Sequence, residues 1–293
     1  FAEGLSIVPL EGGGFAPIPR DFLERHGHLV ADLVLAREGA EKLPAAAAPI
    51  VLELADALGA PRPAALEKLA ALAPGGVLPQ AALPSDLRAD LRAYQSRGVD
   101  WLSFLRDAEL GGLLADDMGL GKTLQAISVL RGRVIVVCPR SVVHNWASEI
   151  ARFRPSLRVA RYEGGGRALD ATADVTLTTY GVLRIDREEL AKIRWDVAVL
   201  DEAQAIKNPS SQTARAACSL DAGFRLALSG TPVENRLEEL WSLLRFCVPG
   251  LLGGKEAFSD RWARPMSRGD AGAAAKLRGR IAPFVLRRKK GDV

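Results

Sequence analysis

Apolar residues recur in two rhythms along the chain. In residues 1–83 the spacing is helical. Val51, Leu54, Ala55 and Leu58 share one face, and Leu66, Leu69 and Ala70 share another. Prolines 44, 49, 61, 63 and 74 cut this part into short helices, because proline lacks the N–H a helix interior needs. From residue 84 the rhythm changes. "LRADLRAYQSRGVDWLSFLRDA" (87–108) reads as one amphipathic helix. Short apolar runs follow at 111–116, 133–139, 157–163, 174–180, 196–202 and 224–230, with helical spacing at 122–130, 141–153, 182–192, 210–219 and 235–282. Continuous apolar strands between helices predict an α/β fold, a parallel sheet with helices on both faces. The expected organisation is a helical accessory region over 1–83 and one α/β domain over 84–293. In such a sheet, ligands bind beyond the carboxyl ends of the strands.

Composition narrows the class. Of 293 residues, 48% are hydrophobic, enough for a sizeable core, and the net charge of +4 permits an anionic partner. Cys138, Cys218 and Cys247 form no C-x-x-C pair, which argues against a disulfide or zinc framework and for a reducing cytoplasm. No apolar run reaches the roughly 18–20 residues that span a bilayer, so no membrane partner is expected. The N-terminus has neither a signal-peptide pattern nor an initiator Met, and an excised piece is expected. His26-Gly27-His28 has no third ligand nearby and reads as a surface turn. Thirty arginines against nine lysines point to a GC-rich bacterial source.

The candidate chemistry lies at strand ends. "DMGLGKT" (117–123) sits between a strand and a helix, the setting of a phosphate-binding loop, although Asp116 stands where the generic pattern has glycine. Gly119 and Gly121 let the backbone curl so that its N–H groups face inward, along Asp117, Met118 and Leu120. Lys122 can reach the β- and γ-phosphates of ATP, and the Thr123 hydroxyl can ligate Mg²⁺. "VAVLDEAQ" (197–204) ends in two carboxylates. Asp201 suits Mg²⁺ binding, and Glu202 suits deprotonation of an attacking water. Thr231-Pro232-Val233-Glu234 fits a capping box.

These elements, in this order, resemble superfamily-two helicase-like ATPases. "LRAYQSRGVDWL", "LADDMGLGKTLQAI", "VVCPRSVVHNWASEIARF", "TLTTYGVL", "LDEAQAIKNPSSQTARA", "LALSGTPVENRLEELWSLLRFCVPGLLG" and "FVLRRKKGDV" narrow the resemblance to Swi/Snf-type DNA translocases of RecA-like fold. Asp116 is normal in that family's loop. The resemblance implies that Gln95 contacts adenine, and that Gln204 couples the nucleotide to Ser229, Gly230 and Thr231. It implies that Arg140, Ser141, Asn145, Trp146 and Thr179 meet the phosphates of double-stranded DNA; core packing is an equal reading of Trp146. "RRKK" (287–290) is expected to be a solvated hinge with occasional phosphate contact. The family has two RecA-like lobes, and the resemblance covers the first. The lobe alone is therefore expected to bind ATP weakly and hydrolyse it negligibly. The intact enzyme is expected to act as a monomer, remodelling protein–DNA complexes that include RNA polymerase or another DNA-bound protein. Two rivals stand beside this reading: a strand-separating helicase of the same superfamily, and a non-enzymatic module that binds DNA or a partner.

Overall fold

A computed structural model of the protein describes residues 7–9, 15–17, 19–37, 43, 47–61, 66, 68–72, 76–230 and 237–293. Strands β1 (Ile7–Pro9) and β2 (Phe15–Pro17) pair antiparallel. Helices α1 (Arg20–Arg37) and α2 (Ala48–Leu58) follow. The main sheet then takes β3 (Gly112–Leu114), β4 (Val134–Cys138), β5 (Val159–Tyr162), β6 (Val175–Thr179), β7 (Arg194–Leu200), β8 (Asp221–Leu228) and β9 (Val285–Leu286). Its order is β5-β6-β4-β7-β8-β3-β9, and every pairing is parallel. All five residues of β4 are buried, as a strand covered on both faces must be. The cover comes from α3 (Ala93–Asp107), α4 (Lys122–Val129), α5 (Val143–Phe153), α6 (Tyr180–Ile185), α7 (Arg187–Ala191), α8 (Gln212–Cys218) and α9 (Leu237–Cys247). This is the RecA-like α/β arrangement, preceded by a helical region.

Three local expectations change. Helix α3 starts at Ala93 rather than at residue 87. Arg92 is extended, and its N–H donates to Gln95 Oε1 at 2.9 Å, so the side chain caps the helix there. His26-Gly27-His28 is no turn but lies inside α1. Residues 237–281 are helical, as expected, in several pieces: after α9 come α10 (Lys255–Phe258), a π-helical turn over Ser259–Ala263, α11 (Arg264–Ser267) and α12 (Ala271–Ile281). Within "RRKK", Arg288 is not solvated: its side chain is 13% exposed and pairs with buried Asp116. Just before it, Val285 and Leu286 add a seventh strand on Leu113 and Leu114. The expected capping box at 231–234 lies outside the described residues. Among the described residues, no helix is long and apolar enough to cross a membrane.

A buried ionic node ties the first helices to the last. Asp32 of α1 is 1% exposed. Arg280 of α12 donates to its Oδ2 at 3.0 Å, and Arg261 donates to the same oxygen. Arg280 also reaches Glu53 of α2 at 2.5 Å and lies over the Trp262 ring at 5.4 Å. Removing one partner of such a pair leaves a buried charge without compensation, which costs about 3–5 kcal/mol. Asp32→Ala is accordingly expected to destabilise the chain by about 3 kcal/mol, measured as a lowered urea midpoint, because Arg261 and Arg280 both lose their shared carboxylate and Arg280 keeps only Glu53.

Candidate functional site

The strands all point one way, so their carboxyl ends share one edge. There β3 runs into Ala115 and Asp116, β8 into Ser229 and Gly230, and β7 into Asp201 and Glu202. The backbone continues the pairing past the strands: Ser229 donates to Leu114 O at 3.1 Å, and Asp201 to Val137 O at 2.9 Å. Strands β8 and β7 thus lie between β3 and β4, which follow each other in sequence. That crossing sets Asp201 and Ser229 beside the loop of residues 115–122.

Gly121 caps α4 in the left-handed region, with φ 74°. The turn favours glycine there, and a Cβ would stand 2.4 Å from the Gln95 amide, which packs against this position. Gln95 is buried and donates to Leu120 O at 3.3 Å, which places it against the loop. Lys122 donates from Nζ to Asp116 O at 2.7 Å and to Asp117 O at 3.3 Å. Burial holds its pKa below the ordinary lysine value, against the opposing pull of Glu202, Asp116, Asp201 and Asp117. Thr123 is half-buried at the start of α4, and Met118 is 60% exposed on the loop's outer side. A Cβ on Gly230 would lie 3.0 Å from Met118 Cγ and 3.7 Å from Lys122 Nζ.

The carboxylates are held from several sides. Burial raises the Asp201 pKa, and a hydrogen bond from Trp146 Nε1 to Oδ2 at 2.8 Å pulls it back. The Tyr180 hydroxyl donates to Asp201 O at 2.7 Å, and burial pushes its own pKa well up. Glu202 sits in the left-handed region at φ 50°, an unfavourable place for a residue with a long side chain. Gln204 donates to Glu202 Oε2 at 2.7 Å and accepts from Ser229 Oγ at 3.3 Å. One glutamine therefore bridges the ends of β7 and β8. Thr231 lies outside the described residues.

The remaining residues spread along the same edge. Arg140 and Ser141 are exposed just past β4, and exposed Asn145 on α5 donates to Glu149 at 3.1 Å. The Thr179 hydroxyl accepts from Val182 N–H at 3.3 Å and caps α6. Trp146 does not join them. It is 0% exposed and turned onto Asp201, so it has no surface for a DNA strand. Tyr180 and Gln125 were not singled out from the sequence. "TTY" did contain Tyr180, but its partner Asp201 is contributed by a different strand. Trp146→Phe removes the donor to Asp201. The Asp201 carboxyl is then expected to titrate higher still, because burial stays and the opposing bond is lost. The variant is expected to be less stable by about 1.5–3 kcal/mol; a carbon-13 NMR titration and chemical denaturation check the two effects.

Comparison with known proteins agrees with this architecture. A family model described as the SNF2-related domain matches residues 94–293. The chain is 41% identical over 232 residues to the putative ATP-dependent helicase/translocase YwqA of Bacillus subtilis, covering 73% of this chain and 25% of that protein. It is 39% identical over 249 residues to the TATA-binding protein-associated factor mot1 of Schizosaccharomyces pombe, covering 72% of this chain and 13% of that protein. A solved structure of the Sulfolobus solfataricus SWI2/SNF2 ATPase core in complex with dsDNA superposes with a TM-score of 0.69 at 41% identity, covering 73% of this chain and 47% of that one. The chain thus spans a quarter or less of these curated relatives and under half of the solved core. On the match over residues 94–293 and the shared sheet, the chain belongs to the SNF2 family of RecA-like ATPase domains.

Proposed function

We propose that this chain is the ATP-binding lobe of a DNA-dependent ATPase that moves along double-stranded DNA and remodels protein–DNA complexes. The observation that carries the reading is the convergence of Lys122, Asp201, Glu202, Gln204 and Ser229 at three neighbouring strand ends. The residues fit a magnesium nucleotide. Gly121 takes the left-handed turn that opens α4 at the loop, and the Thr123 hydroxyl and Asp201 carboxylate are hard oxygen donors of the kind Mg²⁺ takes. In this reading the loop from Asp117 to Gly121 wraps the phosphates at the head of α4. Lys122 meets the β- and γ-phosphates, Gln95 borders the adenine, and bound Mg²⁺ neutralises phosphate charge. Glu202 accepts the proton of the attacking water, and Gln204 relays the state of Glu202 to Ser229, Gly230 and Thr231. Exposed Arg140, Ser141 and Asn145 contact DNA phosphates without reading sequence, alongside Thr179; Trp146 is assigned to holding Asp201.

The domain division belongs to the same proposal: residues 1–83 as an accessory region, 84–293 as lobe one, and a second lobe supplying the arginine finger. The chain's 47% share of the solved core supports it. The remodelled target is a DNA-bound protein, with RNA polymerase a candidate, and the acting species a monomer. Separation of strands is the competing activity, and a strand-displacement assay on a two-lobe protein decides between them. If Lys122→Ala in such a protein left its activity intact, the non-enzymatic module reading would win.

Three outcomes are expected. In calorimetric titration of this chain with MgATP, Lys122→Ala weakens binding at least tenfold, about 1.4 kcal/mol. Turnover by the chain alone stays about 10³- to 10⁵-fold below that of a two-lobe protein, the factor an arginine finger supplies; equal DNA-stimulated rates would refute the division into lobes. Because burial raises the Asp201 pKa, the Mg²⁺-dependent part of the affinity is full above that pKa and falls as acid protonates the carboxylate. Asp201→Asn flattens this pH dependence.

A further inference from the structure

Arg288, expected in a solvated hinge, instead uses all three guanidinium nitrogens in hydrogen bonds beside the phosphate loop. Its Nε donates to Asp116 Oδ1 at 2.9 Å, its backbone N–H donates to the same oxygen at 3.0 Å, and Nη2 donates to Oδ2. Nη2 also donates to Gln125 Oε1 at 2.7 Å. Nη1 donates to Tyr94 O, and the guanidinium lies over the Tyr94 ring at 5.2 Å. Asp116 is 0% exposed and the Arg288 side chain 13%, so both charges depend on each other. Gln125 extends the contact inward, donating to Leu120 O and Gly121 O at 3.3 Å each. The backbones join as well. Asp117 N–H donates to Arg288 O at 3.0 Å, and Lys290 N–H to Asp117 Oδ2 at 3.1 Å. Gly98 of α3 makes room for the cluster: a Cβ there would stand 2.0 Å from Gln125 Oε1 and 2.9 Å from Arg288 Nη2.

The strand that delivers Arg288 is short. Strand β9 has two residues at the edge of the sheet. On its N-terminal side the chain is held by buried Phe284 and by Trp101 Nε1, which donates to Pro283 O at 2.9 Å. On its C-terminal side the Arg288 cluster is the holding contact.

We propose that Arg288 is a positioning residue for the phosphate loop, and that residues 285–290 form a strap whose docking sets the shape of residues 116–122. The guanidinium fork fixes Asp116 at one end of the loop and, through Gln125, the Leu120 and Gly121 carbonyls at the other. Coupling of this kind is reciprocal, so a nucleotide that needs the ordered loop also tightens the strap. The nucleotide half rests on the function proposed above; the loop-ordering half does not.

Amide hydrogen exchange on the ligand-free chain tests the ordering. Arg288→Lys keeps the charge and loses the fork. It is expected to raise exchange of the amides of residues 117–125 at least tenfold while β4 and β7 stay unchanged. Asp116→Asn with Arg288→Met removes both charges, so no buried carboxylate is stranded, and should show the same selective gain. Loop exchange equal to the unaltered chain in either folded variant overturns the proposal. So does a uniform gain across the sheet, which would mark a contribution to stability alone. Calorimetry with MgATP reads the coupling, with at least tenfold weaker binding expected in the double variant. Binding within twofold of the unaltered chain overturns the coupling. If the unaltered chain binds no MgATP, the nucleotide reading fails, and the exchange measurement still decides the role of Arg288.

Discussion

Everything at the candidate site follows from one constraint, the parallel pairing of the sheet. Parallel strands expose all their carboxyl ends on a single edge, and helices on both faces leave that edge as the place where loops can meet. The order of strands then decides which loops meet. Because β8 and β7 separate β3 from β4, the lysine loop faces the carboxylates of β7 and the serine of β8 rather than the turn after β4. The turns after β4 and β6, with Arg140, Ser141 and Thr179, fall further along the same edge. The proposed nucleotide wall and the proposed DNA track are therefore neighbours by topology.

Buried charge is the second organising force. Removing an ion from water is expensive, so each buried carboxylate constrains the elements that supply its partners. Asp116 binds the loop to β9 and, through Gln125, to α4. Asp32 binds α1 to α12, and Arg280 adds α2. Asp201 is satisfied differently, by a tryptophan N–H and its neighbour's backbone N–H. Burial keeps its pKa raised against these two donors. The Glu202–Gln204–Ser229 chain lies beside it, so a change at Asp201 has a short hydrogen-bonded route to β8.

Much of this was legible in the residues. Runs such as "VIVVC" between helical stretches announce a parallel sheet, since only a strand covered on both faces can be apolar throughout. The placement of Lys122 and Thr123 at a helix start, and of Asp201 and Glu202 past a strand end, is legible because strand–loop–helix context acts locally. Trp146 was left between core and DNA, because a tryptophan on an amphipathic helix looks the same in either role. Burial decided it, and burial depends on what packs above. Arg288 was misread for a related reason. A run of four basic residues reads as solvated, and nothing local shows that one of them will meet a carboxylate 172 positions earlier.

The sequence by itself determined the class of fold, the glycine-rich loop between strand and helix, and the acidic strand end, because period, turn chemistry and motif spacing act over a few residues. Only the tertiary structure decided which strand ends adjoin, that Trp146 serves Asp201, and that Asp116 is the buried partner of Arg288. Those facts come from side chains brought together across the whole chain, and their energies depend on exclusion of water, which no short stretch of sequence records.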